Sequence, residues 1–435
     1  MTTKQHLSVA VFGDVDSGKS TTCGHLVFKL GEVNQRKIDE LKALAEKEGK
    51  SSFGFAYVMD RTKAERSRGI TIDVTMLKFN TNKYNYTIID TPGHKDFVKN
   101  MITGTAQADV GILIVTAEKG GFEAGFCQGG QTKEHVLLAY TLGLRQIIVC
   151  VNKMDDKLVN FSEERFENIK SEVSLYLQKI GFNLKNVSFI PISGYIGHNL
   201  TEKSESMPWY KGNTVLEALD SVTPPARPVE KDLRIPIQGI YKVDGIGIVV
   251  SGRVESGVLQ TNKSICFAPY EGKANTKLEV RSIEAHHTKL SEGMPGDNIG
   301  FNVKNLEYKD ISKGSVCGYV GERAPRECES FEAQVIVINH PGSIKKGYCP
   351  VVNVHQASVS CEFEEIVKKI DRKTVASIEE NPSFIKNGEC AIVKLKPRKA
   401  VCVETFANNA PLGRFIIRDM KVVVAIGIIK SVNYK

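Results

Sequence analysis

The chain has 435 residues, 41% hydrophobic and 25% charged, a mix that buries a sizeable core and excludes a mostly disordered polypeptide. Its net charge is +8, from 58 Lys and Arg against 50 Asp and Glu, and residues 326–435 alone supply 17 − 12 = +5. No apolar run approaches the ~20 residues needed to span a bilayer, and Lys4 and His6 lead into Leu7–Phe12 without a leader pattern, which reads as a soluble intracellular protein.

Up to residue 222, two textures alternate. Apolar, β-branched runs fall at Leu7–Phe12, Tyr84–Asp90, Val110–Thr116, Ile147–Val151 and Val187–Ile192. Helix-period segments lie between them at Thr21–Leu30, Phe97–Gln107, Thr132–Leu142, Ser162–Ile180 and Thr214–Ser221. The alternation predicts a mostly parallel sheet covered by helices. Asn34–Gly49 adds an amphipathic helix with Ile38, Leu41, Leu44 and Ala45 on one face. The three prolines of Thr223-Pro-Pro-Ala-Arg-Pro228 fit neither sheet nor helix and mark an extended linker. Beyond it, runs such as Ile246–Val254, Lys277–Ile283 and Asn298–Val303, punctuated by Gly, Pro and Asn, predict antiparallel barrels. A second break near Gly321–Arg326 divides them. The expected organisation is an α/β domain over 1–222, a linker over 223–232, and β-barrels over 233–325 and 326–435. The ten cysteines never come closer than eleven positions apart, so they form no CxxC pair and are expected as reduced, mostly buried thiols.

Gly13-Asp-Val-Asp-Ser-Gly-Lys-Ser20 fits the phosphate-loop pattern, with a strand before it and a helix after it. Residues Asp14, Val15, Asp16, Ser17, Gly18, Lys19, Ser20 and Thr21 would then wrap a nucleotide's phosphates, with Lys19 on the β- and γ-phosphates and Ser20 on Mg²⁺. Asp90-Thr-Pro-Gly93 ends a strand, placing a carboxylate for Mg²⁺ and a Gly93 N–H for the γ-phosphate at the sheet's carboxyl edge. Asn152-Lys-Met-Asp155 ends another. Asp155 can accept the N1–H and exocyclic amine of guanine, which adenine does not offer, and Lys153 can pack on the purine. Ser193-Gly194 follows the next strand and can close over the base. Each is singly an ordinary turn former; four in order make a guanine-nucleotide site. Thr71, in Arg68-Gly-Ile-Thr-Ile-Asp73, is either a switch residue closing on Mg²⁺ and γ-phosphate or a solvated loop threonine, and the residues alone leave both open. His94, directly after Gly93, is read as the group that orients the attacking water rather than as polar surface.

These residues make the chain resemble the elongation factor 1-alpha family over essentially its whole length. Family-like strings include Lys63-Ala-Glu-Arg66, Lys99-Asn-Met-Ile-Thr-Gly-Thr105, Gly252-Arg-Val-Glu255, Pro295-Gly-Asp-Asn298 and Pro411-Leu-Gly-Arg-Phe415. The long Val33–Gly69 segment and His286-His287 favour the eukaryotic form. The resemblance implies an α/β P-loop GTPase domain followed by two all-β antiparallel barrels. It implies a cytoplasmic carrier of aminoacyl-tRNA to the ribosome, using GTP/GDP and Mg²⁺ and served by a guanine-nucleotide exchange factor. It places Lys19, Thr71 and His94 in the catalytic set, Tyr195 beside the base, and Ser20, Thr71 and Asp90 at the metal. The acceptor end of the tRNA would meet Arg281–His287, and its T-stem would meet Asn339–Gly342 and Tyr348–His355. The family's affinity for actin carries over as a further implied partner, although no residues here isolate such a site.

The departures are local. Asp14 replaces a histidine of the family inside the phosphate loop, Glu32-Val33 replaces Gly-Ile, and Tyr195 stands for tryptophan. Ser358 stands for a second histidine, and Val422-Val423 replaces a polar pair. A paralogue of the release or ribosome-rescue branch, binding a tRNA-shaped protein, shares the GTP motifs. That branch carries long N-terminal extensions, so a first strand at Leu7 favours the carrier. The hydrolysis set argues against a cytoskeleton-bundling protein.

Overall fold

Five buried parallel strands and one antiparallel edge strand build the sheet of the first of two compact units, residues 1–225 and 226–435. The structure is a computed structural model that describes residues 4–435 except 61, 128, 274, 275, 286, 287, 372, 373, 375 and 421. The strands are β1 (His6–Gly13), β2 (Thr75–Asn80), β3 (Asn85–Asp90), β4 (Val110–Thr116), β5 (Ile147–Asn152) and β6 (Ser188–Pro191), in spatial order β2-β3-β1-β4-β5-β6. β1, β4 and β5 are buried almost throughout because helices cover both faces, which is why they read as continuous apolar runs. β2 escaped the sequence reading. It pairs only with β3, its middle residues are half-buried, and Lys78 interrupts its apolar character.

Nine helices are described in this unit: α1 (Lys19–Lys29), α2 (Gln35–Lys47), α3 (Ala56–Met59), α4 (Lys63–Arg68), α5 (Val98–Thr105), α6 (Gly121–Phe126), α7 (Gln131–Thr141), α8 (Glu163–Ile180) and α9 (Val215–Asp220). The extra amphipathic helix is α2. Asn34 caps it by accepting the Lys37 N–H at 2.8 Å, and Ile38, Leu41 and Ala45 are its buried residues. The helix expected from Phe97 begins at Val98, because a 3₁₀ turn at Lys95–Phe97 tightens the chain first.

The second unit holds two closed barrels. In the first, strands Ser264–Ala268, Val316–Tyr319, Ile235–Val243, Gly247–Arg253, Asn298–Lys304 and Leu278–Ala285 pair in that order, and the last returns to pair with the first. In the second, the ring runs Val351–Val354, Arg414–Asp419, Val422–Tyr434, Cys328–Val337, Cys390–Pro397 and Ala357–Ile370, again closing on itself. All pairings in both rings are antiparallel. Closure removes the exposed edges that would otherwise invite aggregation.

The barrels share a small apolar contact of Ala268 and Val316 with Cys402 and Leu412. Beside it, the buried Arg234 guanidinium pairs with Glu404 and also donates to the carbonyls of Leu233 at 2.8 Å and Arg323 at 2.9 Å. Removing one partner of such a pair strands a buried charge. Glu404→Ala is therefore expected to lower stability by about 3–5 kcal/mol in thermal or denaturant unfolding. A loss below ~1 kcal/mol would mean that Arg234 finds water instead.

All ten cysteines are free; seven are buried, Cys266 is intermediate, and Cys127 and Cys349 are exposed. Among the described residues, no helix is long and apolar enough to cross a membrane.

Candidate nucleotide-binding site

The carboxyl ends of β1, β3 and β5 surround a cavity of about 720 Å³. Val15, Asp16, Gly18, Lys19, Ser20, Thr21, Thr71, Gly93, His94, Asn152, Lys153, Asp155 and Tyr195 line it. Asp14, Ser17, Asp90, Ser193 and Gly194 are outside that lining; Ser193 Oγ accepts the Ile196 N–H at 3.1 Å, and the others act on the cavity through the bonds below.

β1 ends at Gly13 and α1 starts at Lys19, so the phosphate loop delivers a helix N-terminus to the cavity. Gly18 caps that helix at φ 88°, and a Cβ there would lie 2.3 Å from Asn152 Nδ2. Only glycine fits both the angle and the approach. Lys19 is buried, and its ammonium donates to the loop's own Asp14 carbonyl at 2.5 Å. Burial lowers its pKa, opposed by the carboxylates of Asp90, Asp14 and Asp16.

Three oxygens converge beside it. Ser20 Oγ donates to Asp90 Oδ2 at 2.6 Å and lies 3.0 Å from Thr71 Oγ1. Asp90 is wholly buried, its Oδ1 has no hydrogen-bond partner among the described residues, and burial pushes its pKa up to about 6 against the pull of Ser20 and Lys19. An unpartnered buried carboxylate oxygen beside two hydroxyls is an all-oxygen donor set, the chemistry that suits Mg²⁺. Thr71 is 9% exposed, so it is no solvated loop residue. Glu65 fixes it there. The Glu65 carboxylate completes the N-terminal capping box of α4 with Thr62, then accepts the N–H groups of Ile72 at 3.1 Å and Asp73 at 3.2 Å.

On the base side, Asn152 is a tie between loops. Its Nδ2 donates to the Ser17 carbonyl at 2.8 Å, and its Oδ1 accepts the Gly194 N–H at 2.8 Å. Lys153, in the left-handed region at φ 63°, pairs with Glu118 at 2.7 Å. Asp155 is half-buried at the cavity wall and Tyr195 is 53% exposed. His94 has its ring about one-third exposed, and its Nδ1 accepts the Asp96 N–H at 3.1 Å. The neutral ring then carries its proton on Nε2.

Sequence reasoning missed several residues. Asp60 lines the cavity, is 4% exposed with Oδ1 unpartnered among the described residues, and has its pKa pushed up to about 7 by burial and then by Asp90. Glu118 holds Lys153. His25 reaches the Gly194 carbonyl through Nδ1 at 2.8 Å and stacks on Phe55 with ring centroids 3.9 Å apart. None belongs to a local motif: Asp60 and Glu118 come from segments that the fold brings to the cavity, and His25, on α1, meets the distant Gly194 only in the folded chain. His286 and His287 lie outside the described residues.

A phosphate loop, a γ-phosphate strand end and an Asn-Lys-x-Asp strand end around one cavity, followed by two closed barrels, define a guanine-nucleotide-binding GTPase of the translational class. Residues 4–225 match the family described as the Elongation factor Tu GTP binding domain. Residues 247–318 match Elongation factor Tu domain 2, and residues 330–430 match the GTP-eEF1A C-terminal domain-like family. Elongation factor 1-alpha of Tetrahymena pyriformis is 53% identical over 432 residues, covering 99% of this chain and 98% of that protein. Its counterpart in Entamoeba histolytica is 54% identical over 431 residues, covering 99% and 96%. The chain belongs to the elongation factor 1-alpha family. Among solved structures, the S. cerevisiae Ski7 GTPase-like domain bound to GDP and inorganic phosphate has a TM-score of 0.78 at 18% identity over 98% of this chain and 97% of that one, a likeness of fold alone.

Proposed function

We propose that this chain carries aminoacyl-tRNA to the ribosomal A site with GTP bound and hydrolyses the GTP on codon recognition. The observation that carries the reading is the Ser20–Thr71–Asp90 cluster, which ties the Ile70–Asp73 segment to the phosphate end of the cavity. A segment held that way can close with GTP and open with GDP, the device a carrier needs to grip and release its cargo.

Ser20, Thr71 and Asp90 would hold Mg²⁺, which when bound neutralises charge between the β- and γ-phosphates. Lys19 would bond the phosphate oxygens and Gly93 N–H would meet the γ-phosphate. A Cβ at Gly93 would fall 2.9 Å from the Asp14 backbone as well as 2.5 Å from Lys19 Nζ, so the phosphate loop leaves no room for a side chain there. His94 would orient the attacking water. Asp155 would accept the guanine N1–H and amine, with Lys153 and Tyr195 flanking the ring and Ser193-Gly194 closing over it.

The barrels, over 233–325 and 326–435, would hold the RNA, through Arg281–Ala285 and through Asn339–Gly342 and Tyr348–His355. Of the Val422-Val423 departure only Val422 is exposed; Val423 is buried. The carrier would work in the cytoplasm with an exchange factor, and actin is a further partner of the same reading. Phosphate contacts made by a basic domain release counterions. The affinity for charged tRNA is therefore expected to fall at least ~10-fold from 50 to 200 mM salt, read by filter binding. A salt-independent affinity would remove RNA from the reading.

A further inference from the structure

Asp14 stands second in the phosphate loop, where a carboxylate aimed inward would repel the phosphates. Its side chain turns the other way. Oδ1 accepts the Val15 N–H at 2.7 Å, and Oδ2 lies against α6, where a Cβ on Gly125 would be 2.5 Å away. Beside it sits Gln131, the first residue of α7. With its amide turned as these neighbours require, the Gln131 nitrogen is 2.8 Å from Asp14 Oδ1 and 2.8 Å from the Gly93 carbonyl oxygen, and its oxygen is 3.2 Å from the Lys95 nitrogen. Those two peptide groups bracket His94.

The chemistry of the carboxylate dictates this arrangement. An ionised Asp14 only accepts, and so does the Gly93 carbonyl, so the NH₂ end of the amide must face both. The amide oxygen is then left for the Lys95 N–H. Reversing the amide would set three oxygens against one another and leave the Lys95 N–H without its acceptor.

We propose that Asp14 and Gln131 act together as positioning residues that hold the loop carrying His94 at the mouth of the nucleotide cavity. Asp14 orients Gln131, and Gln131 clamps the backbone on both sides of His94. The phosphate loop is thereby connected to the hydrolysis loop by hydrogen bonds that leave the nucleotide untouched. The proposal rests on the reading of His94 as the group that orients water.

The test is single-turnover GTP hydrolysis at saturating ribosomes and charged tRNA, with GDP affinity measured on the same preparations. Gln131→Ala is expected to lower the maximal rate about 10-fold or more while its GDP affinity stays within about threefold, and Asp14→Ala is expected to lower the rate at least as much. The double variant is expected to be no slower than the worse single one, because both remove the same clamp. Asp14→Asn, whose amide oxygen accepts the same two bonds, is expected to recover most of the lost rate. Gly125→Ala, which displaces the Asp14 carboxylate from outside the loop, is expected to repeat the loss. A full rate in Gln131→Ala, losses that multiply in the double variant, or no recovery in Asp14→Asn would overturn the coupling. So would GDP affinity falling in step with the rate in Gln131→Ala. His94→Ala run in parallel separates the two ideas. If it is slow while Gln131→Ala is fast, the coupling alone has failed; if it hydrolyses at full rate, the reading of His94 has failed.

Discussion

His94→Ala is expected to lower ribosome-stimulated GTP hydrolysis about 100-fold or more and to leave GDP affinity nearly unchanged. The imidazole lines the cavity directly after Gly93, yet its Nδ1 is engaged by the Asp96 N–H, so only Nε2 is available to a water. A group that meets only the attacking water contributes in the transition state and little in the ground state. Measuring the hydrolysis rate and GDP affinity side by side separates the roles. Equal losses in both would make His94 a structural residue that props the loop from Gly93 to Phe97.

Asp155→Asn is expected to weaken GDP and GTP binding by roughly 1.5–3 kcal/mol, about 10- to 150-fold, and to let xanthine nucleotides compete. The carboxylate accepts two donors from guanine, whereas an asparagine presents one acceptor and one donor to the same edge. Xanthine carries an oxygen where guanine has its amine, so the same change that penalises guanine favours it. The wall around Asp155 is stiff enough for the effect to be read cleanly. Asn152 is bonded to both the phosphate loop and the Gly194 loop, and Lys153 is held by Glu118. Competition titrations with GDP and XDP decide the matter, and unaltered GDP affinity would move base recognition to another residue.

What the sequence reveals of this molecule follows from how locally each feature is encoded. β1, β3, β4 and β5 announce themselves because burial forces nearly unbroken apolar runs, and the ends of β1, β3 and β5 then locate Lys19, Asp90, Asn152 and Asp155. β2 does not, since an edge strand with Lys78 at its centre satisfies its exposed face with polar groups. Alternation in the second half signals barrels, but the closing pairs of Ser264–Ala268 with Leu278–Ala285 and of Val351–Val354 with Ala357–Ile370 depend on bends that alternation does not encode. Within the site, residues carried by one contiguous motif are legible. Asp60, Glu118, His25 and Gln131 are not, because their partners are distant in sequence and their chemistry appears only when the segments meet. The orientation of Asp14 belongs with them. Its position in a phosphate loop suggests repulsion, and the distant Gly125 and Gln131, with the Val15 N–H, explain why the carboxylate points elsewhere.

Equilibrium binding of tRNA to the full chain, compared for charged and uncharged forms with GTP and with GDP, tests the carrier function most directly. On the proposed reading the Ile70–Asp73 segment, tied to Ser20 through Thr71, closes with GTP and opens with GDP, and the aminoacyl group is required for a tight grip. Charged tRNA with GTP is expected to bind ~100-fold or more tightly than either uncharged tRNA with GTP or charged tRNA with GDP, a coupling of roughly 3 kcal/mol. A chain that loads with GTP yet binds charged and uncharged tRNA alike, or binds neither at low salt, would contradict a role in delivery.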